Sequence, residues 1–377
     1  MLLSNNIMEN SKILLMHITK TSGHHRATVA IENALKIVSP SVETMNINGF
    51  AYAYPILEKI VNRAYMSVIK RRPKIWDYLY DNPAVIKRTG TIKKILNNAK
   101  HSKLARLFER FQPDCVICSQ AFPCGMVGDL KKRYKYPVRL IGVLTDFAPH
   151  HYWLHDEVDY YIVPTEEAQD RLIADGISSE RIKLFGIPID PKFNEPVSAK
   201  EVADKMGFNL SVPTILVMGG GQGLGPIRSI VSSLAELELN FQLIVLSGTN
   251  KKVLKMLKRI RFPNKQKIKI FPYIDNVNEL MDISTLIVTK PGGMTTAESL
   301  AKGMPMVVVD PIPGQEARNT KLLLEKGIAV EVDDVDEVGI KIRELLDNPE
   351  KIKSMSKAAL KHSNVHSALN IAKLVLK

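Results

Sequence analysis

The sequence predicts an α/β protein of two Rossmann-like domains facing across a cleft. Three observations carry this. Two apolar strands, Lys12–Ile18 and Thr214–Met218, each run into a turn of small residues and then a helical stretch, the opening unit of a doubly wound parallel sheet. Pro188, Pro191, Pro196 and Pro213 punctuate the chain between the two halves. At 377 residues the chain is longer than one hydrophobic core usually organises. These marks place a linker around Asp190–Ser198 and domains over residues 1–193 and 194–358, with 359–377 a helical tail folding back on the first.

Taken in order, the first strand leads to Ser22-Gly23-His24-His25 and a helix over Arg26–Val38. Residues 54–70 then carry Ile56, Leu57, Ile60, Val61, Ala64, Tyr65, Val68 and Ile69 at three- and four-residue spacing, an amphipathic helix. Lys59, Arg63 and Lys70 lie off its apolar stripe, Arg71, Arg72, Pro73 and Lys74 end it, and Trp76 follows. Further strands are expected at Cys115–Cys118, Leu140–Thr145 and Tyr160–Pro164. Cys115, Cys118 and Cys124 read as structural thiols, because the CxxC pair has no second ligand pair with which to hold a metal. In the second half, strands are expected at Leu243–Ser247, Ile268–Phe271, Thr285–Thr289 and Met306–Asp310, and one last helix over Lys351–Lys377. Helical periods between most strands argue for parallel order.

Composition narrows the function classes. A hydrophobic content of 45% with 24% charged residues is that of a soluble globular protein. No apolar run approaches the roughly 18 residues of a membrane span, and the N-terminus lacks a signal-peptide pattern, so a cytoplasmic protein is expected. Charge is uneven: between Lys59 and Arg139, 19 Lys and Arg stand against 5 Asp and Glu, while the whole chain carries +13. Such a segment attracts an anionic surface. No helix-turn-helix, zinc finger or RNP aromatic pair is present, so nucleic acid is not expected. Cations beside an apolar stripe fit a helix lying on anionic lipid, which makes a peripheral protein on the inner face of the cell membrane.

The chemistry is written most densely between Thr289 and Asn319. A strand runs into Pro291-Gly292-Gly293, then Thr295, Thr296 and a helix carrying Glu298. Bare amides at a helix N-terminus cradle a phosphate. Gln315, Glu316 and Asn319 follow the next strand, where amides and carboxylates suit sugar hydroxyls. Gly220, Gly221, Gln222 and Gly223 form a second such turn. A nucleoside diphosphate sugar needs both kinds of group. Asp334-Val335-Asp336 has the form of a metal motif but sits before a helix, where an aspartate N-cap is commoner; no metal and no other cofactor is expected.

These motifs in this order resemble the monogalactosyldiacylglycerol synthase and processive diacylglycerol glucosyltransferase family. The similarity runs through SGHHRATVAIENAL, LTDFAPHHYWLHDEVDYYIVPTEEA, RIKLFGIPIDPKF, ILVMGGGQGLGPI and TKPGGMTTAESLAKGMPMVVVDPIPGQEARN. The resemblance implies a GT-B glycosyltransferase that inverts the anomeric centre, moving hexose from UDP-glucose or UDP-galactose to diacylglycerol. It implies a donor site in the second domain, with Glu298 on the ribose and Gln315, Glu316 and Asn319 on the transferred sugar. It also implies that the first domain receives the lipid, with His150, His151 and Trp153 in an acceptor loop. The family's first turn is richer in glycine than Ser22-Gly23-His24-His25. Alignment on Arg26-Ala27-Thr28 makes His25 the candidate base, with His24 one register away and Asp146 as an orienting group. Transfer of GlcNAc to a polyprenyl-diphosphate lipid and epimerisation of a UDP-sugar are the alternatives on the same architecture. If the cationic helix meets lipid, neutralising Arg71, Arg72 and Lys74 together weakens co-sedimentation with anionic liposomes; unchanged binding removes that assignment.

Overall fold

The computed structural model describes residues 10–19, 22–56, 58, 103–147, 153–262, 266–312 and 314–377. They form two compact units. One gathers residues up to Pro191 with Val365–Lys377, and the other gathers Lys192–Ile312 with Glu316–Asn364. The cationic helix residues Lys59, Arg63, Lys70, Arg71, Arg72, Lys74 and Trp76, with His150 and His151, lie outside the described residues.

The first unit is a six-stranded parallel sheet in the order β2-β1-β3-β4-β5-β6. Its strands are β1 (Lys12–His17), β2 (Glu43–Asn48), β3 (Cys115–Cys118), β4 (Arg139–Val143), β5 (Tyr160–Val163) and β6 (Ile182–Leu184). Helices on both faces leave alternate strand residues in two cores. Leu14, Met16, Val116 and Leu140 face one core; Ile13, Leu15, Ile117 and Ile141 face the other. Helix α1 (Gly23–Val38) covers the second face, capped by Ser22, whose hydroxyl accepts the His25 amide. The helix starts three residues earlier than its apolar period suggests, so His24 and His25 sit in its first turn rather than in the preceding loop.

The second unit is also wholly parallel, in the order β9-β8-β7-β10-β11-β12. Here β7 is Thr214–Met218, β8 Gln242–Leu246, β9 Lys267–Phe271, β10 Leu286–Thr289, β11 Met306–Val309 and β12 Ala329–Val332. Counted within the unit this is 3-2-1-4-5-6, which reverses direction between β7 and β10, the point where such sheets bind ligands. Every residue of β7, β8, β10 and β11 is buried.

Several expectations are corrected. Strands β2 and β6 were not anticipated: ETMNIN is polar and β6 has three residues, and both lie at sheet edges, where hydrophobic patterning is weakest. The single last helix is two, Pro349–Lys361 and Ser367–Val375, separated by a turn. Trp153, which the resemblance puts in an acceptor loop, is buried. It is 2% exposed, its ring lies against Gly142 of β4, and its carbonyl accepts the Tyr161 hydroxyl.

The cysteines are free and buried in β3 and in the helix Ala121–Tyr134. Burial pushes Cys115 up to about 12, which leaves it protonated and unreactive. Ser367–Val375 packs Ala368, Ile371, Ala372 and Val375 onto Ile31, Ala34 and Leu35 of α1, and Arg139 donates to the carbonyls of Leu374 and Val375. Ile371→Ala should therefore cost about 2–4 kcal/mol in urea unfolding; a loss within experimental error would mean that this helix is not part of the first core.

Candidate active site

In the second unit, the register sets Met218 of β7 beside Thr289 of β10. The turns that follow these strands are the two glycine turns, so strand order alone makes them neighbours. The first is tightly folded. Gly220 and Gly223 have φ of 66° and 60°, a backbone that favours glycine. A Cβ on Gly223 would strike the Ser247 carbonyl, and one on Gly219 the Leu224 carbonyl. The amides of Gly223 and Leu224 are taken by the carbonyls of Gly220 and Gly219, which makes Gly223 a builder of the turn. Helix Ile227–Ala235 follows with no side-chain cap and no acidic residue in its first turn.

The second turn opens the helix Gly293–Ala301. Its N-cap is Gly292, with no side-chain cap and no acidic residue in the first turn. Two uncapped helix ends therefore stand at the switch point, each favouring an anion. Around the second end the polar side chains are buried: Thr295, Thr296, Glu298, Ser299 and Asn319 are all under 8% exposed. Thr296 Oγ1, Ser299 Oγ and Asn319 Oδ1 have no hydrogen-bond partner among the described residues. Each such atom costs about 1–3 kcal/mol. Asn319 donates Nδ2 to the Pro291 carbonyl at 2.8 Å and so braces the turn from beneath. Gln315 begins the helix Gln315–Glu325 and is half-buried.

Lys290 was not singled out from sequence. Only 9% exposed, it pairs Nζ with Glu316 Oε2 at 3.1 Å, and the same oxygen accepts the Ile312 amide at 2.8 Å. Its stem lies against Gly225 of the first turn, so one lysine ties both glycine turns and Glu316 together. The available signal was a cation placed directly where a fully apolar strand ends. Asp334 accepts the Asp336 amide at 3.0 Å, as an N-cap.

In the first unit, the sheet reverses between β1 and β3, and the candidate base stands there. His24 Nδ1 lies 2.9 Å from the Ser119 carbonyl and 2.9 Å from Thr145 Oγ1. A carbonyl can only accept, so Nδ1 carries the proton and Nε2 the lone pair. Burial pulls the His24 pKa from 6.5 down to about 4, against the bond to Ser119, which raises it. Ser119 in turn donates its hydroxyl to the His24 carbonyl at 2.9 Å. His24 is thus tied to the ends of β3 and β4. His25 is half-buried, its ring 4.4 Å from that of His17 and tilted by 44°. Asp146 follows Thr145 just beyond β4, half-buried.

Comparison with known proteins follows the same division. The monogalactosyldiacylglycerol (MGDG) synthase family model matches residues 24–189, and the glycosyltransferase family 28 C-terminal domain matches 214–374. The chain belongs to this family of glycosyltransferases. Similar relatives include the processive diacylglycerol β-glucosyltransferases of Bacillus cytotoxicus (28% identical, over 93% of this chain and 90% of that protein) and Staphylococcus epidermidis (28%, over 98% and 93%). Among solved structures, Acinetobacter baumannii MurG matches with a TM-score of 0.66 at 14% identity, over 97% of this chain and 99% of that one. The Staphylococcus aureus MnaA–UDP structure matches at 0.63 and 15% identity, over 96% and 94%. These likenesses establish the GT-B fold of this family 28 glycosyltransferase.

His24 also ties stability to pH. Its folded pKa lies below its unfolded value, so the neutral form is the one folding favours. The stabilisation is fully present above pH 6.5 and is lost as pH falls toward 4, since the unfolded chain binds the proton first. Melting temperatures between pH 7 and 4 should therefore fall less in His24→Gln than in the wild type; equal slopes would place the acid sensitivity elsewhere.

Proposed function

We propose that this glycosyltransferase moves a hexose from a UDP-sugar to the free hydroxyl of diacylglycerol with inversion, giving a β-glycosyldiacylglycerol at a membrane surface. What supports this most is a coincidence. Relatives named for that reaction match along nearly their whole length, and the second unit holds two uncapped helix ends with buried, unpartnered polar atoms beside them. The relatives' names favour UDP-glucose over UDP-galactose, and favour diacylglycerol over a polyprenyl-diphosphate acceptor.

In this reaction His25 takes the proton of the acceptor hydroxyl as its oxygen attacks the anomeric carbon. The bond from that carbon to the diphosphate breaks, and UDP leaves. General base catalysis contributes about 10²–10⁴-fold. Amides at the start of Ile227–Ala235 and of Gly293–Ala301 meet the charge that grows on the diphosphate, with Thr295 and Thr296 donating hydroxyls. Lys290 brings its ammonium group, paired with Glu316, to the same place. Glu298 takes the ribose hydroxyls, and Gln315 and Glu316 the hexose, with Asn319 holding the turn in position. Asp146 orients the base or the acceptor. Anionic lipid at the inner membrane face recruits the enzyme through the cationic segment.

His25→Ala should keep UDP affinity within about twofold while lowering kcat by a factor on the order of 10² or more. Radiolabelled UDP-glucose and UDP-galactose, each with diacylglycerol in anionic vesicles and thin-layer separation of the lipids, provide the assay. A variant that turns over at the wild-type rate removes His25 as the base, and failure of every UDP-sugar to label lipid removes the proposed reaction.

A further inference from the structure

One set of contacts in the first unit is not used by the chemistry above. The Glu32 carboxylate, on α1, accepts the Asn46 Nδ2 amide of β2 at 3.0 Å and the Thr44 hydroxyl at 2.7 Å. Asn46 Oδ1 lies 3.0 Å from His17 Nδ1 and 3.0 Å from the Thr28 hydroxyl, which is also 2.9 Å from the His25 carbonyl. His17, 3% exposed at the end of β1, then lies ring to ring with His25 at 4.4 Å.

The order of donors along this chain is forced. An ionised carboxylate only accepts, so the Asn46 amide must turn its NH2 toward Glu32 and its oxygen toward His17. That oxygen only accepts in turn, so His17 Nδ1 must carry a proton. The tautomer and the ring plane of His17 are thereby set from Glu32, two residues away, in the way outer groups orient a working imidazole. The ring so fixed forms the wall against which the His25 imidazole rests.

We propose that His17, held by Asn46 and Glu32, is a positioning residue that sets the ring plane of His25 for proton abstraction. This rests on the assignment of His25 as the base. The charged and titratable groups that the contacts place near the pair are His24 and Glu32 on α1, Lys36 paired with Glu32, and Glu58, which accepts from Asn48, the β2 residue in register with His17. Of these, Glu32 is the one that the chain of hydrogen bonds joins to His17. Thr28 closes the arrangement from the helix side by holding the His25 carbonyl, so both the backbone and the ring of the base are fixed.

The test is a double-mutant cycle on the full-length enzyme with UDP-glucose and diacylglycerol in anionic vesicles, with turnover corrected for folded fraction by near-ultraviolet circular dichroism. His17→Ala should lower kcat about tenfold or more, because misplacement of a reacting group is costly, with KM for UDP-glucose unchanged. His17→Phe, which restores a flat ring of similar thickness but not the bond to Asn46, should recover only part of that loss. Asn46→Leu should lower kcat in the wild-type background and have no further effect in the His17→Ala background. Wild-type kcat in His17→Ala overturns the inference, as do losses that simply add. If His17→Ala does not fold, His17→Phe and Asn46→Leu decide it: wild-type turnover in either overturns it, and a lowered kcat at constant KM in both supports it. His25→Ala, run alongside, separates the two assignments. Wild-type turnover there removes the base itself; a dead His25→Ala with unaffected His17 and Asn46 variants removes only the positioning role.

Discussion

The pairing of β7 with β10 is the constraint on which the donor half of this molecule depends. In a parallel sheet every crossover is right-handed, so a chain that reverses its direction of growth must leave a gap between the loops on either side of the reversal. Met218 and Thr289, far apart in sequence, end side by side in the register. The Gly219–Gly225 turn and the Pro291–Gly293 turn then become two walls of one place without any dedicated contact being required between them. Lys290 adds that contact, with its stem on one wall and its charge on Glu316 behind the other.

The first unit uses the same topological device with different chemistry. Its reversal between β1 and β3 holds imidazoles instead of a bare helix end, because Ser22 already occupies the His25 amide. An anion is less welcome there, and an uncharged hydroxyl fits better. His24 is locked to Ser119 and Thr145 and kept neutral, while His25 rests on His17. Two histidines adjacent in sequence therefore stand in different surroundings.

Much of this was legible in the chain. Fully buried strands write themselves as apolar runs, and glycine turns after them are hard to mistake. What stayed hidden shares a cause: it depends on neighbours that sequence does not display. ETMNIN becomes a strand where β1 offers it an edge; its two apolar residues, Met45 and Ile47, are too few to stand out as a run. The burial of Trp153 depends on Gly142, which leaves room for its ring. Lys290 is a plain lysine until Glu316 and Gly225 surround it. The role of Gly223 as a builder of its turn follows from hydrogen bonds that no spacing rule reports.

The crossing of the chain back to α1 has a consequence for how the protein is made. The helix that covers Ile31, Ala34 and Leu35 is translated after the whole of the second unit. While the ribosome is still working, the first sheet has an uncovered greasy flank, whereas the second unit already has all its strands. The first sheet, begun first, is therefore covered only after the second has all its strands.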